Sequence, residues 1–229
     1  MRDGDRIDGG VDGPAAAYDR TVDQLAADLQ PVRRVWPIRG RVAIWAVCAL
    51  ALVIGSTLAT PRPDLAAYLA RPMARVEMAL LMAVLVGCGA LALRGAVPGS
   101  PPTARAWGFA GLGVAIVAGL GLVGPVDQSI SLEQFIARGL PCATMTLVLA
   151  GLAASAPLLM VGRGFPLTPA ATGALAGLAG AVTAVLAMRL HCPLDEVSHQ
   201  LVFHAFALLP VALIGALVMW AWQRLKTES

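Results

Sequence analysis

The sequence predicts an all-α fold, a polytopic membrane helical bundle of about six transmembrane helices preceded by a short cytoplasmic N-terminal tail. Of the 229 residues, 58% are hydrophobic and 14% are charged. The mean hydropathy of +0.73 is higher than a soluble domain with a charged surface sustains. Arg and Lys cluster between long apolar runs, and each run is close to the roughly 20 residues that cross a bilayer as a helix.

The apolar runs define the domain organisation. They fall at 42–59, 76–93, 106–124, 140–160, 169–190 and 200–221. We therefore predict a cytoplasmic tail over 1–41, a six-helix transmembrane domain over 42–221, and a second cytoplasmic tail over 222–229. The connections between the runs are short, so we expect no folded soluble domain between the helices.

The charges near the helix ends predict the orientation. The first forty residues are polar and rich in Asp, so we expect the first helix to be an anchor and not a cleaved signal peptide. Basic residues that flank transmembrane helices are retained in the cytoplasm. With the N-terminus inside, the inner side would hold the larger basic set: Arg33, Arg34, Arg39, Arg41, Arg94, Arg105, Arg163, Arg224 and Lys226. Both termini are therefore predicted to be cytoplasmic.

Glycine and proline within the spans predict how the helices pack. Small residues let transmembrane helices approach closely, and Gly173-x-x-x-Gly177 is a small-xxx-small pattern. We expect close-packing positions at Gly87, Gly111, Gly113, Gly119, Gly121, Gly173, Gly177 and Gly180. Pro210 lies inside the last run and predicts a kink there.

The N-terminal tail contains a candidate partner-binding segment. Residues 1–17 are Gly-, Asp- and Ala-rich and are predicted to be disordered when free. A short amphipathic helix is predicted over 18–30, with its apolar stripe formed by Val22, Leu25, Ala26 and Leu29. Pro31 would terminate this helix. About three turns are marginal in water, so the stripe needs a surface to fold against. Acidic residues on the polar face favour a basic protein partner over anionic lipid, and a solvated lead-in to the first span is the alternative.

The four cysteines fall into two groups by their predicted position. Cys48 and Cys88 lie within the first two spans, where a thiol behaves as a small hydrophobe. Cys142 begins the fourth span and Cys192 follows the fifth, so the topology places both at the outer face. Facing an oxidising compartment, these two thiols could form a disulfide or act as a redox or metal sensor.

Histidines near Cys192 suggest a metal site. His191, Cys192, His199 and His204 could ligate a soft or borderline metal. Their spacing matches no closed zinc motif, and His204 could instead form hydrogen bonds within the bundle. No permanent cofactor is predicted, and a transient metal at the outer cysteines remains an alternative.

The sequence also limits the classes of function that the protein can have. The chain holds no recognisable nucleophile–base pair, carboxylate pair or phosphate-binding loop, so no catalytic residue and no enzyme activity are predicted. Direct binding of nucleic acid is not predicted either. A small-molecule or ion transporter or channel of the inner membrane is the competing hypothesis, although no Asp, Glu, Lys or Arg lies at the centre of a span.

Several motifs resemble a known family. They are Leu25-x-x-x-Leu29-x-Pro31-Val32, Thr60-Pro-Arg-Pro63-Asp64-Leu65, Gly139-Leu-Pro-Cys142, and Leu190-His-Cys192-Pro193-x-Asp195 continued by His199 and His204. These motifs, which extend over nearly the whole chain after about residue 18, resemble the NrsF family. That family comprises proteobacterial six-span negative regulators of extracytoplasmic-function (ECF) sigma factors.

The resemblance implies a membrane anti-sigma factor of the SigF type in the bacterial inner membrane. Its cytoplasmic N-terminal segment would hold the ECF sigma factor, and Cys142 and Cys192 would respond to an envelope stress signal. The implied partner-binding surface comprises Val22, Leu25, Leu29, Pro31, Val32 and Arg33, with Arg34 beside it.

Overall fold

The computed structural model describes residues 14–27, 36–122, 125 and 130–228, and the chain divides into two units, Met1–Val35 and Trp36–Ser229. In the first unit, helix α1 spans Pro14–Ala27. It begins four residues before the predicted start at residue 18, because proline is favourable in a first helical turn and the three following alanines are strong helix formers. The predicted end of this helix, residues 28–30, lies outside the described residues.

The described part of the second unit is helical and contains no strand. Its helices are α2 (Ile38–Ala59), α3 (Leu65–Ala70), α4 (Pro72–Gly95), α5 (Ala104–Gly121), α6 (Leu132–Gly162), α7 (Pro169–His191), α8 (Val197–His199) and α9 (Leu208–Glu228). A π-helical turn, Gln200–His204, and a 3-10 turn, Ala205–Ala207, join α8 to α9.

The helices have the lengths that a membrane requires, so the predicted helical membrane bundle is confirmed. Five are long and apolar enough to cross a bilayer: α2, α4, α6, α7 and the composite helix Val197–Glu228. The predicted third span corresponds to α5, whose apolar stretch Ala104–Leu120 is shorter. Helix α6 begins eight residues before the predicted run because the Ser131 hydroxyl caps it by accepting a hydrogen bond from the Gln134 backbone N–H.

Helix α7 forms the centre of the bundle. It packs against α2, α4, α6 and α9. In the apolar 18-residue stretch of α7, 89% is buried inside the bundle, compared with 28–39% of the corresponding stretches in the other four spans. The residues of α7 are mainly Ala, Gly, Leu and Val, so small side chains face neighbouring helices on all sides. The remaining spans direct large apolar side chains such as Leu58, Leu159 and Leu217 outwards, which suits a lipid environment.

The close approach of α7 and α9 confirms the small-xxx-small prediction at Gly173 and Gly177. A Cβ atom at Gly177 would overlap the carbonyl oxygen of Val211, and one at Gly173 would overlap the carbonyl oxygen of Gly215. The wider prediction is also confirmed at Gly87, Gly113 and Gly180, where a Cβ would overlap a neighbouring helix, and was wrong at two positions. Gly111 and Gly119 in α5 have nothing within 4 Å of a Cβ, because α5 lies at the periphery of the bundle and packs mainly on α4.

The last span is irregular just before Pro210. Its irregular section is the π-helical turn and the 3-10 turn, and α9 starts immediately afterwards at Leu208. Pro210 lies in the first turn of α9, and because it has no N–H it cannot donate to the carbonyl oxygen four residues earlier, in the 3-10 turn. The predicted kink at Pro210 stays a prediction.

Candidate functional site

Two cysteines meet at the end of the bundle where α2 and α7 terminate. Cys142 lies in the N-terminal half of α6, directly after Pro141, and Cys192 caps the C-terminus of α7. Their Sγ atoms are 3.7 Å apart, with both thiols free. Cys192 is buried and Cys142 is partly exposed. The structure thus brings together the two predicted signal-sensing residues, which are separated by 50 positions in the sequence.

Two histidines complete a cluster with these thiols. His199 Nε2 lies 3.4 Å from Cys192 Sγ. The π-helical turn brings His204 to the same side, and one ligand atom from each of the four residues lies within 4.8 Å of every other. We refer to Cys142, Cys192, His199 and His204 as the Cys–His cluster. Three of its members belong to the predicted metal set.

The fourth predicted metal ligand, His191, lies elsewhere. Its Nδ1 is 2.8 Å from the hydroxyl of Thr60, in the loop after α2. Cys142 takes its place in the cluster. The sequence spacing could not reveal this exchange, because His191 and Cys192 are adjacent at the helix end and point to different neighbours.

Hydrogen bonds hold His204 in a defined orientation. Its ring Nδ1 is 2.7 Å from Gln200 Oε1, and the Gln200 side-chain amide donates to the carbonyl oxygen of Leu194. The Gln200 NH2 group donates to Leu194, so the atom that faces His204 is the amide oxygen, which accepts a hydrogen bond from the Nδ1–H of His204. In the neutral ring the other nitrogen, Nε2, then carries no proton. That atom is buried and has no hydrogen-bond partner.

A buried arginine connects the loop after α2 to the end of α7. Arg62 forms hydrogen bonds with Asp64 at 2.7 Å and with Asp195 at 3.1 Å. Its guanidinium also donates to the carbonyl oxygen of Arg189, and its backbone N–H donates to the carbonyl oxygen of Leu190. These contacts fix the segment that carries Cys192 to the end of α2.

A second charged group lies beside the first, at the same end of the bundle. Arg189 Nε is 2.5 Å from Glu77 Oε1, and the hydroxyl of Tyr68 donates to Glu77 Oε2 at 3.0 Å. Sequence analysis did not single out these residues. Their only signal is their position, since Glu77 and Arg189 are charges placed just inside the predicted ends of two spans.

Burial and hydrogen bonding shift the pKa values of groups in the connecting loops. The hydrogen bond with Cys142 and burial raise the pKa of the Cys192 thiol above its usual value. Burial disfavours the charged form of Arg62, but the hydrogen bonds and charges of Asp64 and Asp195 outweigh that effect and raise its pKa. Arg62 therefore stays cationic, while Cys192 is protonated at neutral pH in the absence of a cation.

Comparison with known families decides the relationship. The family model described as NrsF, negative regulator of sigma F, matches residues 25–224. This chain belongs to the NrsF family. No curated protein and no solved structure matches the chain significantly. The resemblance read from the motifs is therefore confirmed, and with it the general role of a negative regulator of sigma F.

The NrsF match begins inside the predicted partner-binding segment. Val22 and Leu25 lie on α1 and are 43% and 64% exposed. The other predicted partner-binding residues lie outside the described residues: Leu29, Pro31, Val32 and Arg33. Three of the four residues of the apolar stripe, Val22, Leu25 and Ala26, are thus described, and all three are exposed on a helix, as a partner-binding surface requires.

The other two cysteines of this NrsF-family chain lie apart from the cluster. Cys88 is completely buried in α4, and Cys48 is exposed on α2. Neither belongs to the Cys–His cluster. Their positions within apolar helices agree with their interpretation as small hydrophobic residues.

Proposed function

We propose that this protein is a membrane anti-sigma factor of the bacterial inner membrane that holds an ECF sigma factor of the SigF type. Its cytoplasmic N-terminal segment, including Val22 and Leu25, binds the sigma factor. A redox or metal signal at Cys142 and Cys192, on the periplasmic side, causes release. The role is regulatory and involves no catalysis.

The observation that carries the proposal is the contact between Cys142 and Cys192 in a member of the NrsF family. Two thiols 3.7 Å apart can change together, by oxidation to a disulfide or by sharing a cation. They lie at the end of the bundle where α2 terminates, whereas the tail joins the bundle where α2 begins, at Ile38. Signal reception and sigma binding are then assigned to opposite ends of one helix.

The contacts of Arg62 connect the segment around Cys192 to the end of α2. Arg62 follows α2 and binds both Asp195 and the last carbonyl groups of α7. A change in the segment around Cys192 therefore acts directly on the end of α2. Since the tail precedes α2 directly in the chain, a shift or rotation of this helix would alter how the tail is presented to the sigma factor. The competing hypothesis of a transporter or channel gains no specific support from the described residues.

The proposed orientation can be tested with fusion reporters. A cytoplasm-active reporter placed after Ser229 or before Met1 should be active, and a periplasm-active reporter inserted in the connection between α5 and α6, before Ser131, should also be active. The physical reason is the larger set of basic residues on the inner side. A periplasm-active reporter that works at a terminus, or a cytoplasm-active reporter that works in the connection, would contradict the orientation. It would also contradict the assignment of the cysteines to the periplasm.

The proposed sigma-binding surface can be tested by charge substitution. Replacing Leu25 and Leu29 together with Asp puts two charges into the face that binds the sigma factor, at a cost of about 2–5 kcal/mol if both become desolvated. We expect the full-length protein to lose co-purification with the sigma factor, and sigma-dependent transcription to rise without any signal.

The matched control for this experiment is Gln24→Asp. Gln24 lies on the face of α1 opposite the apolar stripe, so its added charge stays in solvent, and repression should be unchanged. Western blotting of membranes verifies equal amounts of each variant. Full repression by the double Asp variant would move the binding surface away from the tail.

A further inference from the structure

The Cys–His cluster has the composition and geometry of a metal centre. We propose that Cys142 Sγ, Cys192 Sγ, His199 Nε2 and His204 Nε2 together bind one soft or borderline divalent cation, such as zinc or cadmium. That this cation is the inducing signal rests on the proposed anti-sigma function. Binding of the cation itself is independent of that function.

Two of the six distances between ligand atoms match the edges of a coordination tetrahedron, and all six are within 4.8 Å. Zinc–sulfur bonds of about 2.3 Å and zinc–nitrogen bonds of about 2.05 Å place tetrahedral ligand atoms roughly 3.8 Å apart for two sulfurs and roughly 3.6 Å apart for sulfur and nitrogen. The two sulfurs of the cluster are 3.7 Å apart. Cys192 Sγ and His199 Nε2 are 3.4 Å apart. Both separations agree with the edges of such a tetrahedron to within a few tenths of an ångström.

Gln200 prepares His204 as a ligand. A metal-binding histidine usually donates its second ring N–H to an oxygen atom, which fixes the tautomer and the direction of the ring. Gln200 Oε1 performs this task at Nδ1, and Gln200 is itself held by Leu194. His204 Nε2 is buried within 4.8 Å of the other ligand atoms, and no contact there has the geometry of a full hydrogen bond. An unsatisfied buried nitrogen is costly, and a cation satisfies it.

Charge balance also favours a divalent cation. The two thiols each lose their proton on binding, and both protons leave to solvent, while the two imidazoles bind as neutral ligands. Two thiolates and one divalent cation sum to no net charge. A neutral complex suits a site in which Cys192, His199 and His204 are all buried. Two thiols and two imidazoles select against magnesium and calcium, which prefer oxygen ligands.

The experiment uses full-length protein purified in detergent under reducing conditions, with Co²⁺ as the probe. Tetrahedral Co²⁺ bound by two sulfurs and two nitrogens gives visible d–d bands and a thiolate charge-transfer band. We expect saturation at one Co²⁺ per chain and loss of the spectrum when zinc is added. Cys142→Ser and His204→Ala should remove the tetrahedral spectrum. Gln200→Leu should keep the spectrum but weaken binding by about 10–100-fold, because Gln200 acts only through His204.

His191→Ala is the matched control, since His191 is next to Cys192 in sequence but bonds to Thr60. Its Co²⁺ affinity should equal that of the unmodified protein. No tetrahedral spectrum in the unmodified protein, an unchanged spectrum in His204→Ala, or its loss in His191→Ala would each overturn the assigned ligand set. Size-exclusion profiles identify any variant that is misfolded. If a ligand variant is misfolded, the Co²⁺ affinity of Gln200→Leu, which retains all four ligands, is compared with that of the unmodified protein instead.

Sigma capture by the same preparations separates this proposal from the function it rests on. Capture without Co²⁺ binding overturns the metal site alone. Co²⁺ binding without any sigma capture overturns the anti-sigma function and supports the metal site. Release of captured sigma by cadmium in the unmodified protein, absent in Cys142→Ser, supports the cation as the signal.

Discussion

Replacing Glu77 with Ala should lower the free energy of unfolding by about 3–5 kcal/mol, because the substitution leaves the guanidinium of Arg189 buried without its counter-charge. Glu77 and Arg189 are only 8% and 5% exposed. Their ion pair joins α4 to α7, the central helix of the bundle. The hydroxyl of Tyr68 loses its acceptor in the same variant. The fraction of full-length protein that stays monodisperse in detergent after heating measures this effect.

Two further variants test whether the unpaired charge of Arg189 causes this loss of stability. Arg71→Ala removes a charge at the same end of the bundle, but Arg71 is 57% exposed and lies 3.7–4.0 Å from its carboxylate partners, so a loss of at most about 1 kcal/mol is expected. The double variant Glu77→Leu with Arg189→Met removes both charges and fills the space with apolar groups. It should recover most of the lost stability. A double variant as unstable as Glu77→Ala would show that the cost is not an unpaired charge.

Gly177→Ala should destabilise the bundle at the upper end of the roughly 1–3 kcal/mol that overpacking costs, because the added methyl group would overlap the backbone of α9 at Val211. A backbone carbonyl cannot move aside as a flexible side chain can, so α7 and α9 must separate. The separation would also expose apolar surface along α7. The same heating assay in detergent reports the change.

Gly151→Ala provides the matched substitution. Gly151 lies on the exposed side of α6, with nothing within 4 Å of a Cβ. Alanine has a higher helix propensity than glycine, so this variant should be as stable as the unmodified protein or more stable, by up to about 1 kcal/mol. Equal losses in the two variants would mean that glycine is needed for helix flexibility and not for the approach of α7 and α9.

Hydropathy predicted the helical bundle because the bilayer imposes a length of about 20 apolar residues on each span. Contact between α7 and α9 was also predictable, since two glycines four positions apart lie on one face of a helix. The peripheral position of α5 was not predictable. Its glycines resemble those of α7 in sequence, and only the packing arrangement decides whether a glycine faces a neighbouring helix or lipid.

The Cys–His cluster was predictable only in part. Topology places Cys142 and Cys192 at one end of the bundle, because one begins a span and the other follows the next span. The inclusion of His204 depends on a local departure from α-helical geometry that no hydrophobic periodicity signals. The exclusion of His191 depends on a contact with Thr60, which lies 131 positions away. Gln200 gave no signal at all, since a lone glutamine has no spacing pattern.

The charged residues at the same end of the bundle show another limit of sequence-based prediction. Arg62 and Asp64 belong to a motif that indicated the family, but the motif did not reveal that Arg62 also binds Asp195. Glu77 and Arg189 were visible as charges near span ends, yet sequence alone does not distinguish an exposed flanking charge from a buried pair. Pairing across 112 or 133 positions is set by how the helices pack around α7.

The π-helical turn at Gln200–His204 gives the last span a dependence on helical winding that its composition conceals. In a regular α-helix, residues five positions apart are separated by about 140° around the axis, so His199 and His204 would face different neighbours. The wider turn amounts to one surplus residue within a helix. If the same residues wound as a regular α-helix, everything before the turn would rotate by about 100° relative to α9. Every side chain would be retained, but the site would be lost, so the winding of this segment matters as much as its residues.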